Sequence, residues 1–340
     1  MKALEISRPN WIDLVERPVP RIGPEEALIR VAAAGLCHTD LYALRGQNPA
    51  VRYPIVPGHE FSGVVEACGP AVRAARPGDP VTVMTILACG HCRHCRQGRT
   101  TVCQNYAELG SQRDGGFGEY VAAPARSLVP IDDLGLPQAA MAEPAANAYS
   151  AVRHACIEPG DRVAVIGPGP VGLLALQVAR LAQPRDLILL GTRDARLDVG
   201  ARLGATHLLN VQREDPVGAV HELTDGQGVD VVLRCAGTAS ATELALQIAA
   251  TSARVALEGV TAGRETVALA PDALVFRRLT LIGVRGWSEH EFATAVELMK
   301  LGAVDAKPLL THRFGLEEHR AAYRVLDEAK DEVIKAQFIR

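Results

Sequence analysis

Residues 162–182 read RVAVIGPGPVGLLALQVARLA. Five residues of strand character, Arg162 to Ile166, run into a glycine turn, and the turn opens a long apolar helix pattern. Gly167, Gly169 and Gly172 form a G-x-G-x-x-G, with Pro170 and Val171 between the last two glycines. The first glycine permits the tight turn, the second lets a diphosphate approach the backbone, and the third lets helix and strand pack closely. The free N–H groups at the helix start favour the same diphosphate. A bare glycine pattern is weak evidence. In this strand–turn–helix setting it predicts a dinucleotide site on a doubly wound parallel sheet.

Outward from that turn, DLILLGT, VDVVLRC, ARVALEG and LTLIGVRG read as further strands with helical stretches between them. Such alternation predicts an α/β fold whose parallel sheet is covered on both faces. Residues 146–285 are therefore expected to form a Rossmann-type dinucleotide-binding domain. Ser240 and Glu243 make a candidate capping box before the helix ATELALQIAA. Ser288 and Glu291 make a second, before FATAVELMKLG; Phe292, Val296 and Met299 share one face there, and Gly302 can end the helix. Residues 1–145 differ in character. Short β-branched runs such as EEALIRVAAAG, FSGVVEACG and DPVTVMTI alternate with turn signals such as RPVPRIGP and PIVPGHE, which predicts strands and loops. Residues 286–340 have a mixed pattern that fits either domain.

Composition excludes several classes of function. A net charge of −3 makes no electrostatic case for a nucleic acid or a membrane surface as partner. No uncharged apolar run reaches the roughly 18 residues of a membrane span. Glu5, Arg8 and Asp13 interrupt the N-terminal stretch, so it is not expected to act as a signal peptide. A cytoplasmic location is expected, and disulfides are uncommon there.

That expectation bears on CGHCRHCRQGRTTVC at 89–103. Cys89, Cys92, Cys95 and Cys103 are spaced to turn four thiolates around one ion. A tetrahedral zinc with four sulfurs suits them, leaves no open position and is therefore structural. The loop has no apolar core of its own, so a metal would fix it. Disulfides and an iron–sulfur cluster are the alternatives. Cys68, Cys156 and Cys235 are expected simply to pack. A second ligand set is scattered. Cys37 lies in GLCHTD, His59 and Glu60 in VPGHEFSG, and Glu143 in MAEPAANAYSA. Each alone reads as structural. Together, a thiolate, an imidazole and carboxylates are what a catalytic zinc with an open position needs.

An acidic residue is normally expected about 20 residues beyond the glycine turn, where it holds a ribose 2′-hydroxyl. Gly191 stands there, 19 residues after Gly172, followed by Thr192 and Arg193. Loss of the carboxylate removes repulsion of a 2′-phosphate, and Arg193 can pair with that phosphate. NADP is thus favoured over NAD. Asp194 is either solvated or replaces the acid from a shifted position.

Taken together, these motifs resemble the zinc-dependent medium-chain alcohol dehydrogenases over essentially the whole chain. GLCHTD at 35–40, GHEFSGVV at 58–65, the cysteine lobe, DGGFGEY at 114–120, AEPAANAYSA at 142–151 and GPGPVG at 167–172 carry the resemblance. It implies a GroES-like, mainly β catalytic domain from 1–145 and 286–340, with the active site in the cleft beside the Rossmann domain. It implies Cys37 and His59 as catalytic zinc ligands, Glu60 as a carboxylate that binds or approaches the metal, and Glu143 in the place of a third cysteine. A glutamate there is similar to the sorbitol, polyol and threonine dehydrogenase branch. It further implies that Thr39 touches the bound alcohol, that His38 lies near the cofactor diphosphate, and that Asp40 orients His59. Many relatives have histidine at the position of Tyr42, where it ends a proton relay, so that terminus is left unassigned.

The chemistry implied is metal-assisted hydride transfer between a secondary alcohol or polyol, or its ketone, and NAD(P), with two zinc ions per chain. Simple secondary alcohols and amino alcohols such as threonine are the alternative substrates. Leu41, Leu44, Thr85, Ile86 and Phe117 are candidates for the pocket or for the core. The strand LTLIGVRG suggests a homodimer by sheet extension, or a homotetramer. A metal-free quinone reductase of the same superfamily would normally lack GHE and the cysteine lobe. A non-enzymatic zinc-ribbon protein would not need the glycine turn.

Overall fold

The computed structural model describes residues 1–260, 263, 265–328 and 333–340. The chain divides into two compact units. One comprises Met1–Glu143, Ser288–Leu301 and Leu310–Arg340, and the other Pro144–Trp287 and Gly302–Leu309.

In the second unit six strands form one parallel sheet: β1 (Arg162–Ile166), β2 (Asp186–Gly191), β3 (His207–Asn210), β4 (Val229–Arg234), β5 (Ala249–Leu257) and β6 (Thr280–Gly283). Their spatial order is 3-2-1-4-5-6, the doubly wound Rossmann arrangement. The near-continuous apolar runs of β1, β2 and β4 follow from burial on both faces: Ala164, Val165, Ile188, Leu189, Val231 and Val232 have no exposed surface. β3 went unread in the sequence because it has only four residues, two of them His207 and Asn210. The helix after β4 starts two residues before the expected capping box. Its cap is Thr238, whose hydroxyl accepts from Ala241 N at 3.2 Å.

The first unit is built on a mainly antiparallel sheet. Strands follow one another across it in the order Leu310–Phe314, Lys335–Ile339, Glu26–Gly35, Glu60–Cys68, Pro80–Val83 and Leu128–Pro130, with Tyr120–Pro124 also paired to Glu26–Gly35. Alternating burial along Glu26–Gly35 turns Ala27, Ile29 and Val31 into a core that includes Phe61, Val81, Phe117 and Phe338. The rings of Phe117 and Phe338 meet edge to face, centroids 4.9 Å apart. The helix Glu289–Lys300 carries the expected capping box: Ser288 Oγ accepts from Glu291 N, and Glu291 Oε2 accepts from Ser288 N at 2.7 Å. Phe292, Val296 and Met299 are buried on one face of it. No described helix is long and apolar enough to cross a membrane.

Candidate active site

The Pro57-Gly58-His59-Glu60 turn enters a strand against the core, and its shape is enforced from the side. Gly58 has φ +94°, and a Cβ on it would lie 2.4 Å from the Phe117 ring. The DGGFG loop is laced onto this turn: Gly115 N donates to Val56 O (2.7 Å), Gly116 N to Gly58 O (2.7 Å) and Phe117 N to Pro57 O (2.9 Å). Two motifs 50-odd residues apart in the sequence thereby become one rigid corner that holds His59.

Cys37 arrives from a different strand. The chain leaves Glu26–Gly35, stays extended at Cys37 (φ −119°, ψ 156°) and enters the helix His38–Leu44. Asp40 bridges the two arrivals. One oxygen accepts from Cys37 N at 2.9 Å, and the other lies 3.7 Å from His59 Nδ1. The imidazole therefore presents Nε2 to the site, 3.2 Å from Thr39 Oγ1. Ligand atoms of Cys37, His59 and Glu60 lie within 4.8 Å of one another. His59 and Glu60 are buried and Cys37 is partly exposed. Burial disfavours a charged imidazole, but Asp40 and Cys37 outweigh it and hold His59 well above the ordinary histidine pKa.

Lys335, a residue with no sequence signal, completes this cluster. It is 3% exposed and forms a buried ion pair with Glu60 Oε2. Burial works against its charge, whereas Glu60, Cys37 and Asp40 raise its pKa. Within VIKAQF it reads as an ordinary strand lysine, and only the fold brings it to Glu60. The Lys335 ammonium sits directly on Glu60 Oε2 and balances its charge inside the protein. A soft thiolate, an imidazole oriented through its far nitrogen and a buried carboxylate suit a zinc ion. Glu143, half-buried in the first turn of the helix Ala142–Ala155, is not one of these three residues. A cavity of about 50 Å³ adjoins the cluster, lined by Thr39, Asp40, Asn48, His59, Glu108 and Ser111 among others. That is room for water beside Thr39 and His59. Of the pocket candidates, Leu41 and Phe117 belong to the core, Leu44 packs on it and Thr85 is fully buried; Ile86 is half-buried.

The four lobe cysteines form no disulfide, and their sulfurs also converge within 4.8 Å. Sγ separations are 3.5 Å for Cys92–Cys95 and 3.9 Å for both Cys89–Cys95 and Cys92–Cys103. A tetrahedron of sulfurs around zinc has edges of about 3.8 Å. Backbone N–H groups of Cys95 and Gln104 pull the Cys92 thiol down to about 6. Desolvation and the neighbouring thiols push Cys95 up to about 12. The donor set fits a closed zinc site. Of the other cysteines, Cys68 and Cys235 are half-buried and Cys156, contrary to expectation, is exposed.

At the glycine turn each position does a different job. Gly167 has φ +105°, and a Cβ on it would strike Ala236. A Cβ on Gly172 would fall 2.0 Å from Gly167 O. Gly169, by contrast, has nothing within 4 Å of a Cβ, so open space lies where a diphosphate would approach the start of the helix Pro170–Arg180. A dinucleotide fits this cradle. Beyond β2, a Cβ on Gly191 would lie 2.5 Å from Pro168 Cγ. The turn's own proline therefore occupies the place an acidic side chain would need. Asp194 is engaged elsewhere, accepting from Asn210 Nδ2 at 2.7 Å and pairing with Arg213 at 3.0 Å. Arg193 Nη1 donates to Thr192 Oγ1 at 3.0 Å. His38 is exposed at the first position of its helix.

Two family models match the chain: the alcohol dehydrogenase GroES-like domain over residues 23–133 and the zinc-binding dehydrogenase domain over 170–300. The L-threonine 3-dehydrogenase of Bacillus licheniformis is 35% identical over 315 residues, 91% of this chain and 90% of the relative. This chain belongs to the zinc-dependent medium-chain alcohol dehydrogenase family. Solved structures of the family superpose along its length. A zinc-binding dehydrogenase of Sinorhizobium meliloti bound to NADP matches with TM-score 0.95 and 31% identity over 100% of this chain and 99% of that one. Galactitol-1-phosphate dehydrogenase of Escherichia coli matches with TM-score 0.91 and 28% identity over 100% of both. This medium-chain dehydrogenase is thus a zinc-dependent oxidoreductase that moves a hydride between a small-molecule alcohol and a nicotinamide cofactor, on a GroES-like domain and a Rossmann-type domain.

Proposed function

We propose that Cys37, His59 and Glu60, joined by Glu143, hold the catalytic zinc, and that Cys89, Cys92, Cys95 and Cys103 hold a second, structural zinc. The observation that carries this reading is the convergence of Cys37, His59 and Glu60 within 4.8 Å, with the Thr39 hydroxyl 3.2 Å from His59 Nε2. When bound, zinc would supply a Lewis acid that eases removal of the alcohol proton, and the nicotinamide would supply the hydride acceptor. Thr39 receives that proton and passes it outward. Asp40 fixes the tautomer and tilt of His59. Lys335 neutralises Glu60, which lowers the surplus negative charge that Cys37, Glu60 and Asp40 concentrate there. Residues 1–145 and 286–340 carry these groups; residues 146–285 hold the cofactor on Gly167, Gly169, Pro170, Val171 and Gly172, and the family resemblance assigns His38 to the diphosphate.

The favoured substrate is a secondary alcohol flanked by a second polar group, as in a polyol. Glu143 in place of a third cysteine supports the polyol branch. Identity of 35% with an L-threonine 3-dehydrogenase favours threonine as the second reading. NADP is the favoured cofactor, with Thr192 and Arg193 meeting its 2′-phosphate. Arg193→Ala should weaken NADP binding about tenfold or more and leave NAD unchanged; equal loss of both removes Arg193 from that role. A homodimer through β6 would cover Leu281, 36% exposed on that edge strand, and Val275 and Phe276 on the preceding helix are 69 and 82% exposed. The deciding experiment follows nicotinamide absorbance across polyols, simple secondary alcohols and threonine, with NAD and NADP in parallel and a chelator-treated control. Turnover of one class, lost with the chelator, is the expected result. Turnover that survives complete zinc removal would overturn the catalytic-zinc assignment.

A further inference from the structure

Arg234 ends β4 level with Ile166 at the end of β1, where the strand order reverses. The backbone after it is tied to the cofactor turn. Cys235 N and Ala236 N both donate to Ile166 O (2.9 and 3.0 Å), and Ala236 is the residue that a Cβ on Gly167 would strike. On the other side, Glu258 N and Gly259 N donate to Arg234 O (3.1 and 3.3 Å). The two loops press together backbone to backbone: a Cβ on Gly259 would lie 2.6 Å from Cys235 O, and one on Gly237 2.2 Å from Val260 O. The Arg234 guanidinium closes this junction, Nη1 donating to Ala236 O at 3.0 Å and to Gly259 O at 2.5 Å.

This arginine is 6% exposed, its Nε has no partner, and it makes no ion pair with a described residue. Burial lowers its pKa, with Cys235 and Glu258 acting against that. A buried guanidinium held by two carbonyls and no ion pair is costly, and a buried one is ordinarily paired. In a 3-2-1-4-5-6 sheet each half takes one nucleotide. The glycine turn after β1 and the end of β2 take the diphosphate and the adenosine side, so the nicotinamide side falls to β4–β6, where Arg234 lies.

We propose that Arg234 is a positioning residue for the nicotinamide half of the cofactor: it locks the two loops at the ends of β4 and β5 and sets a fixed cation beside that half. The inference rests on reading Gly167–Gly172 as the cofactor turn. The oxidised ring is cationic and the reduced ring neutral, so the fixed charge holds the reduced form more tightly. That bias favours hydride leaving the alcohol for the cofactor, with the proton departing to solvent.

The test is the ratio of dissociation constants for NADP⁺ and NADPH, the reduced form read by its fluorescence and the oxidised form by competition. Wild-type protein should bind NADPH more tightly. Arg234→Gln keeps an amide donor for the carbonyls but removes the charge, and should lower the oxidised-to-reduced ratio about tenfold. Arg234→Lys keeps the charge and should hold the ratio within about twofold of wild type. Equal change of both constants in Arg234→Gln overturns the proposal. So does a wild-type preference for NADP⁺, which needs no variant to fold. Gly172→Val, read by NADPH binding alone, separates the underlying assumption: unchanged affinity there would refute the turn, not the charge effect.

Discussion

The cysteine lobe and the Cys37–His59–Glu60 cluster use overlapping chemistry in opposite ways. The lobe draws four identical donors from one 15-residue stretch, and their Sγ separations already suit the edges of a zinc tetrahedron. The other cluster draws three different donors from two strands, braces them with Asp40 and Lys335, and has a water-sized cavity beside it. A site made of one short segment serves that segment. A site assembled at the ends of two neighbouring strands takes more to position, and a water-sized opening remains beside it.

The sharpest way to break this contrast is to exchange a donor in each site. Cys37→Ser or His59→Ala should reduce turnover at least about 10³-fold, because Lewis-acid catalysis contributes several kcal/mol. Their circular dichroism should stay that of the parent. Cys92→Ser should act the other way round. It should lower the melting temperature by about 10 °C and cut zinc content by one ion per chain. Turnover per folded molecule should hold within about threefold. Equal loss of heat stability from both exchanges would erase the distinction.

A smaller effect tests the bracing. Asp40→Asn should cost about 10- to 100-fold in zinc affinity at the open site, with no change in the lobe. Chelator competition on the Cys92→Ser background reads that site alone. The smallest effect is in pH. With zinc removed, the raised pKa of His59 means that its protonated form stabilises the fold. That contribution is complete below the unfolded histidine value of about 6.5 and is lost as pH rises through the folded value. Zinc must displace that proton, so metal affinity at the open site should climb with pH. A pH-independent affinity would show that His59 is already neutral without metal.

Legibility in the sequence follows the same contrast. The lobe could be read from spacing alone because all its chemistry is local. The glycine turn could be read because strand, turn and helix are contiguous there. Cys37, His59 and Glu60 could be read only as a set, since each alone reads as structural, and the family resemblance then supplied their separate roles. Lys335 stayed hidden: its partner is 275 positions away, and a lysine in a strand usually points to water. The short strand His207–Asn210 and the Thr238 cap were missed for the opposite reason, a local signal too brief to rise above its surroundings.

The contact between Gly191 and Pro168 has a historical corollary. An acidic residue cannot enter position 191 while the proline stands 2.5 Å from where its Cβ would be. Replacing Pro168 must come first, and that change alone confers no new ribose contact. The two positions therefore form an ordered pair, a permissive step followed by a selective one. A selection that samples single substitutions at 191 therefore meets the proline first.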